Sequence, residues 1–295
     1  MALKDARFYF IRLFISLSYI VIRCFMCELF ALSSSSAAEV SFSLNEFSKH
    51  GGLTNHHRHG WGIAYYEKNS ARIIKEASSA SDSACLYFVK NYSIRSNIVM
   101  SHIRYATRGE VCYRNTQPFS RELAAREHVF IHNGDLDSLI NNPRYYNRRF
   151  NPMGETDSEV AFCYLMSKMA KLWDGPQTPS LNERYRVFVE FAEEMRGLGI
   201  ANFIYSDCEY VYIYSHKRIV KDGQKQTVKL PGLHVLIRHC HTDIFDTTIK
   251  GLQITKSQAQ DVVLVSSVAL NDENWIALSS QESMVLKEGK IVIGL

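Results

Sequence analysis

The chain has 295 residues, 46% of them hydrophobic and 22% charged, with a formal net charge of +4. This usage is ordinary for a globular protein; it excludes disorder, a collagen-like repeat and a small disulfide-stapled scaffold, and the length allows one large domain or two small ones. The charge is uneven: residues 1–25 hold Lys4, Arg7, Arg12 and Arg23 against Asp5, so the remaining body is nearly neutral and carries no electrostatic footprint for nucleic acid.

The stretch Phe8–Phe25 is strongly apolar but contains Arg12 and Arg23. Its longest uncharged run, Leu13–Ile22, is ten residues, where a membrane span needs about 20. Arg23-Cys24-Phe25 is a poor signal cleavage site. The segment reads as a weak signal anchor or as sequence ahead of a working start at Met26. Beyond it, strands and helices alternate without repeats. The serine run Ser33–Ser36 reads as a turn. Gly62–Tyr66 and Arg72–Glu76 form a strand pair around a polar turn, and the Ile/Val content of Asn97–Ile103 makes it a strand. His128–His132 is another strand, stopped by the turn dipeptide Asn133-Gly134. After an Asn-, Pro- and Arg-rich loop at 141–153, Thr156-Asp-Ser-Glu159 is a capping-box pattern that opens a helix to about Leu172. A second helix spans about Asn182–Arg196 and ends at Gly197. Ile200–Tyr205 and Glu209–Tyr214 pair as a hairpin, and Leu233–Arg238, Asp261–Val268 and Met284–Ile293 are later strands. The pattern predicts an α/β or α+β protein with layered sheets. No Gly/Ser/Pro linker divides residues 26–295, so they form one domain behind the 1–25 extension. The seven cysteines (Cys24, Cys27, Cys85, Cys112, Cys163, Cys208 and Cys240) are expected to be mostly free thiols of a reducing, cytoplasmic compartment.

Four short motifs carry chemistry. Met26-Cys27 offers a thiol, Ser101–Gly109 an Arg at a strand end, His132-Asn-Gly134 an amide beside a flexible backbone, and Gly154–Glu159 a carboxylate at a helix start. Taken singly, each has an ordinary structural explanation: a buried small hydrophobe, a surface salt bridge, a turn, a helix cap.

Taken in order, MCELFALSS, HGWGIAYY, SHIRYATRGE, HNGDL and GETDSEVAF resemble the class II glutamine amidotransferases, which are N-terminal-nucleophile hydrolases, and among these the free-standing bacterial YafJ-like type. The likeness runs from Met26 to about Asn274 and includes the DVVLVSS strand. It implies a four-layer αββα sandwich with mainly antiparallel sheets. One departure stands out: His59 precedes Gly60 where relatives are expected to have Asp.

The resemblance also implies a mechanism. The thiol of an N-terminal Cys27 attacks the side-chain amide of glutamine, its own α-amine moves the proton, and water hydrolyses the γ-glutamyl thioester. An α-amine pKa of about 7.7–8.0 suits general-base work near neutrality. Asn133 and the Gly134 N–H hold the oxyanion. Arg104 pairs with the substrate α-carboxylate, Asp157 with its α-ammonium, and Thr107 completes the pocket. A preceding peptide bond would block the amine, which favours a working chain that starts at Met26 and loses that methionine.

No cofactor is expected. The histidine groups at His50, His56, His57 and His59 and at His234, His239 and His241 with Cys240 match no zinc spacing, so no metal is expected either. Trp61 is expected to pack near the site. The glutaminase-type domain fills nearly all of the chain after Cys27, so no synthase domain is expected behind it. The expected function is hydrolysis of a γ-glutamyl amide, in glutamine or in a γ-glutamyl small molecule or peptide; the alternatives are an ammonia-supplying subunit of an unseen synthase, or a membrane-tethered regulatory or binding protein that keeps the fold without the activity. A homo-oligomer or a partner subunit carrying an acceptor domain stays open, and neither nucleic acid nor membrane is an expected partner.

Overall fold

The computed structural model describes residues 27–41, 59–80, 83–86, 94–222, 225–240, 247–249, 252–255 and 260–295. Its elements are β1 (Glu28–Ser41), β2 (Trp61–Glu67), β3 (Ser70–Glu76), β4 (Ile94–Ile103), β5 (Phe119–Leu123), β6 (Arg126–Asp135), α1 (Asp157–Trp173) and α2 (Leu181–Arg196). They continue with β7 (Ile200–Ser206), β8 (Val211–Tyr214), β9 (Arg218–Asp222), β10 (Lys225–Lys229), β11 (His234–Cys240), β12 (Thr247–Ile249) and β13 (Leu252–Thr255). The last are β14 (Gln260–Ser266), β15 (Ile276–Ala277), β16 (Ser283–Lys287) and β17 (Lys290–Ile293).

Two antiparallel sheets stack face to face. One runs β15-β11-β14-β1-β4-β2-β3, with β13 also on β1 and β12 on β13; the other runs β17-β16-β8-β7-β6-β5. Side chains on a strand alternate between faces, and β1 uses both. Leu29 and Ala31 pack inward with Met100, Val263 and Val265 against Ile131, Ile204 and Ile213 of the second sheet. Leu32 points outward with Trp61, Ile63, Val99 and Leu264, where the described residues over them include Ala80, Leu86 and Leu270. On the outer face of the second sheet lie α1 and α2, whose Phe162, Met166, Phe188 and Phe191 pack on Phe130, Phe203 and Tyr205. Phe130 and Phe162 stack with centroids 5.2 Å apart. Truncating a fully buried phenylalanine such as Phe130 to Ala typically costs about 3–5 kcal/mol. The layered α+β sandwich with antiparallel sheets is thus the fold expected from the sequence.

Three local expectations are corrected. Asn133-Gly134 does not stop β6; the strand continues to Asp135 and pairs Gly134 with Ala201. A Cβ on Gly134 would lie 1.7 Å from the Ile200 carbonyl oxygen, so the glycine serves close strand approach and not a turn. The serine run is no turn either. It lies in β1, at a register shift between Ser33 and Ala38 against β4. Its hydroxyls stitch the irregularity down: Ser33 Oγ accepts from Gly289 N at 3.1 Å, Ser35 Oγ from Asp261 N at 3.0 Å, and Ser36 Oγ donates to Gln260 Oε1 at 2.6 Å. Finally, Met284–Ile293 is two strands, turned by Glu288 and Gly289 at φ 48° and 74°, the paired positive values of a tight hairpin turn.

The capping pattern at 156–159 is half realised. Thr156 Oγ1 accepts from Glu159 N at 3.3 Å, but the Glu159 carboxylate goes elsewhere, to Gly154 N at 2.7 Å and Arg121 Nη2 at 2.6 Å. The reciprocal box occurs instead at Ser180 and Glu183, ahead of α2. Residues 1–26, His50, His56, His57 and His241 lie outside the described residues. Among the described residues no helix is long and apolar enough to cross a membrane.

Candidate active site

Cys27 immediately precedes β1 at the centre of the larger sheet. Glu28 pairs with Ile103 of β4, so the residues after β4 come alongside the thiol. Tyr105 N donates to Cys27 Sγ at 3.3 Å, and Sγ lies 3.5 Å from the Tyr105 carbonyl oxygen. Burial pushes the thiol up to about 11, against the opposing influence of the Tyr105 N–H and the Arg104 charge. From the other side β14 leads into Ser267, whose N–H donates to Leu29 O at 3.0 Å and whose Oγ accepts from Leu29 N at 3.0 Å.

Arg104 begins the loop after β4 and is 4% exposed. Its guanidinium donates to the carbonyls of Glu110 (3.0 Å), Arg108 (2.8 Å) and Gly109 (3.3 Å), folding the loop around it. The loop is tied outward by an ion pair between Arg108 and Asp137. It is held underneath by His59, whose Nδ1 accepts from Ala106 N at 3.0 Å. Burial, and secondly the Arg104 charge, lower the His59 pKa.

Asn133 and Gly134 reach the site from β6. Asn133 Nδ2 donates to the carbonyl of Cys27 and, at 3.4 Å, to Ser267 Oγ. Its Oδ1 is buried without a hydrogen-bond partner. Its own carbonyl accepts from Asn202 Nδ2 at 2.9 Å, and Asn202 Oδ1 accepts from His216 N at 2.8 Å. Asp157 sits at the first turn of α1, its carboxylate accepting from Leu136 N (2.7 Å) and Ser158 N (2.8 Å). His132 supports the same corner. A carbonyl can only accept, so its Nε2–H donates to Ile200 O at 3.1 Å and its Nδ1 accepts from Ser158 Oγ at 2.9 Å.

These elements enclose a shallow cleft of about 30 Å³, lined by Cys27, Arg104, Thr107, Gly134 and Asp157 together with Gln117, with room for about two waters. Five of the six residues singled out in the sequence therefore share one cleft. The sixth, Asn133, is not among its lining residues and lies behind it on the Cys27 carbonyl. Sequence reasoning missed Gln117, Asn202 and Ser267 as site residues. Ser267 lay in the quoted DVVLVSS strand, whereas Gln117 and Asn202 sit in no motif.

Asp135, Asp137 and Asp157 place one oxygen each within 4.8 Å of one another. Burial, and next the bond to Asp137, raise Asp135 to about 6, while Asp137 is lowered. Of the C-terminal histidine group, His239 Nδ1 lies 2.8 Å from Asp261. The described cysteines Cys27, Cys85, Cys112, Cys163 and Cys208 are free, and Trp61 is fully buried, paired with Ile103 at the end of β4.

Residues 26–294 match the sequence profile of the class-II glutamine amidotransferases, and the chain belongs to that family. It is 37% identical over 190 residues to the Escherichia coli protein YafJ, which carries the designation of a glutamine amidotransferase; the match covers 64% of this chain and 72% of the relative. It is 31% identical over 272 residues to an uncharacterized protein of Methanocaldococcus jannaschii, covering 90% of this chain and 71% of the other. Among solved structures, one described as a predicted glutamine amidotransferase from Pseudomonas aeruginosa superposes with a TM-score of 0.69 at 28% identity, over 90% of this chain and all of that one. The glutamine phosphoribosylpyrophosphate amidotransferase of Bacillus subtilis shares the fold, with a TM-score of 0.53 at 14% identity over 90% of this chain and 48% of that one.

Proposed function

We propose that this protein hydrolyses a γ-glutamyl amide bond, in glutamine or in a γ-glutamyl small molecule or peptide, through a thioester on Cys27. One observation carries the reading: Cys27 shares its cleft with Arg104, Asp157 and Thr107. Those groups suit a substrate that presents an α-carboxylate and an α-ammonium at one end and a scissile carbonyl at the other.

The thiol needs a base. With its pKa pushed up to about 11, roughly three thiols in ten thousand are ionised at pH 7.5. The α-amine of a chain beginning at Cys27 supplies the base, so we place the working N-terminus there, with residues 1–25 absent and Met26 removed. The amine takes the Sγ proton as sulfur attacks the γ-carbonyl carbon, then gives it to the departing amine. Gly134 N–H and the Asn133 amide take the oxyanion, Asn133 turning from the Cys27 carbonyl to do so. Water then cleaves the thioester and releases glutamate. The chemistry needs no cofactor and a reduced thiol, as in the cytoplasm.

The test uses protein expressed from Met26, its first residue identified by mass spectrometry, incubated with glutamine and with γ-glutamyl-p-nitroanilide. Glutamate release from either compound that disappears in Cys27→Ala supports the reading. Release that persists in Cys27→Ala, or a chain active while retaining Met1–Met26, overturns it.

A further inference from the structure

A second cavity, of about 380 Å³, shares a wall with the catalytic cleft. Segment 113–118 gives Asn115 and Gln117 to the cleft, and Tyr113, Arg114 and Pro118 to the cavity. The opposite wall is β3, through Ala71, Ile73 and Lys75. The volume is in the range of small-molecule sites, about 300–1,000 Å³, which pair apolar walls with a few aimed polar groups. Nothing in the proposed hydrolysis uses it.

Lys75 is the aimed group. Its Nζ donates to Thr116 O at 2.6 Å and Pro118 O at 3.3 Å; an ammonium has three N–H bonds, so one is left. The charge lies 4.6 Å from the Tyr113 ring centroid and 5.3 Å from that of Phe119. The other cations of the lining already hold carboxylates, Arg114 that of Glu155 and Arg121 that of Glu159. Among the described residues Lys75 is bonded to carbonyls alone. Glu127, the acid of the lining, accepts the Ala71 N–H at 2.6 Å. At the rim, Tyr113 is 60% exposed and Met153 72% exposed, large apolar groups left uncovered beside a half-buried cation.

We propose that this cavity binds a planar aromatic anion of small-molecule size, its carboxylate or phosphate on Lys75 and its ring against Tyr113 and Met153. The site stands independently of the hydrolytic reading. It reaches the cleft through Asn115, whose side chain accepts from Glu155 N at 2.9 Å and donates to the Glu155 carboxylate at 2.9 Å, the carboxylate that also holds Arg114.

Pyridoxal 5′-phosphate is the probe, because it joins an aromatic ring, a phosphate and an aldehyde. The aldehyde condenses with a neutral amine, releasing water, and borohydride reduces the imine to a stable amine located by peptide mass spectrometry. Burial pulls the Lys75 ammonium down to about 8, so neutral amine is available at pH 7.5. Lys75 is expected to be modified at least tenfold faster than the exposed Lys171 and Lys290. Millimolar 2-naphthoate should protect Lys75, and inorganic phosphate at the same concentration should protect it at least fivefold less. In a direct titration, Lys75→Met should bind 2-naphthoate at least tenfold more weakly; Arg114→Gln, which leaves the Lys75 contacts intact, should weaken it only a few fold. Labelling spread evenly over the lysines, or labelling of Lys75 that 2-naphthoate does not slow, overturns the site. Equal protection by phosphate overturns the aromatic ligand.

Discussion

The ring of His59 holds the Ala106 N–H at 3.0 Å, one peptide beyond the Tyr105 N–H that touches the Cys27 sulfur. His59 and Tyr105 also pack together, ring centroids 5.4 Å apart. A histidine at this position does what a carboxylate could do, accept from Ala106, but only while Nδ1 keeps its lone pair.

That condition makes the loop acid-sensitive. Burial and the Arg104 charge lower the His59 pKa below 6.5. Below pH 6.5 the unfolded chain therefore binds a proton that the folded one resists, and stability falls as pH drops. Once pH passes through the folded value, Nδ1 is protonated and the bond to Ala106 is lost. His132 and His128 are also lowered by burial, so the difference between proteins is the informative quantity. Between pH 7 and 5, wild type should lose more urea-unfolding stability than His59→Asp. Equal losses would remove His59 from the account.

Cys27→Ala should abolish glutamate release while leaving far-UV circular dichroism unchanged, and Cys27→Ser should leave little turnover, since a hydroxyl is the weaker nucleophile. Alanine at Cys85, Cys112 or Cys208, none of which lines the cleft, should leave kcat within a few fold. Loss of activity in one of these with Cys27 intact would point to a second essential thiol.

Arg104→Lys should raise KM at least tenfold, about 1.4 kcal/mol. Lysine cannot span the three carbonyls at 108–110 that the guanidinium bridges, so the loop loosens as well as losing its fork. Asp157→Asn should impair substrates with a free α-amine far more than N-acylated ones. Equal impairment of both would reduce Asp157 to its bonds with Leu136 and Ser158.

Neighbouring residues of β6 should fail in different ways. Asn133→Ala should lower kcat about 100- to 1,000-fold, the usual loss of about 2.7–4 kcal/mol for an oxyanion donor, with KM little changed. Gly134→Ala should instead destabilise the fold, because its methyl would stand 1.7 Å from the Ile200 oxygen and 2.4 Å from His132 Nε2. A thermal midpoint unchanged in Gly134→Ala would refute the close-packing account.

Local composition, turn signals and caps made the β2–β3 hairpin, α1, α2 and the β7–β8 hairpin readable, although β2, β7 and β8 are buried on both faces. They failed on β1, where Leu29 and Leu32 are buried on opposite faces and a polar serine run interrupts the apolar stretch. Asn133-Gly134 was misread for another reason: the local signal of a turn is overridden by the backbone of β7. Residues inside the motifs, such as Arg104 and Asp157, could be assigned to the site only through the resemblance the motifs carry together, since each alone reads as a salt bridge or a helix cap. Asn202 could not, because it acts by holding the Asn133 carbonyl from another strand, a contact that leaves no local mark in the sequence.

The placement of β1 between β4 and β14 ties the cleft to the stability of the whole molecule. A nucleophile on a surface loop can drift out of position while the rest of a protein stays folded. Here the backbone leaving Cys27 is held on both sides within two residues, Glu28 paired with Ile103 and Leu29 bonded to Ser267, and cannot fray without opening the larger sheet at its middle. The amides of Leu29–Leu32 should therefore exchange with solvent only through global opening. Enzyme activity and the last-protected amides would then vanish together as denaturant rises, with no inactive folded species between them.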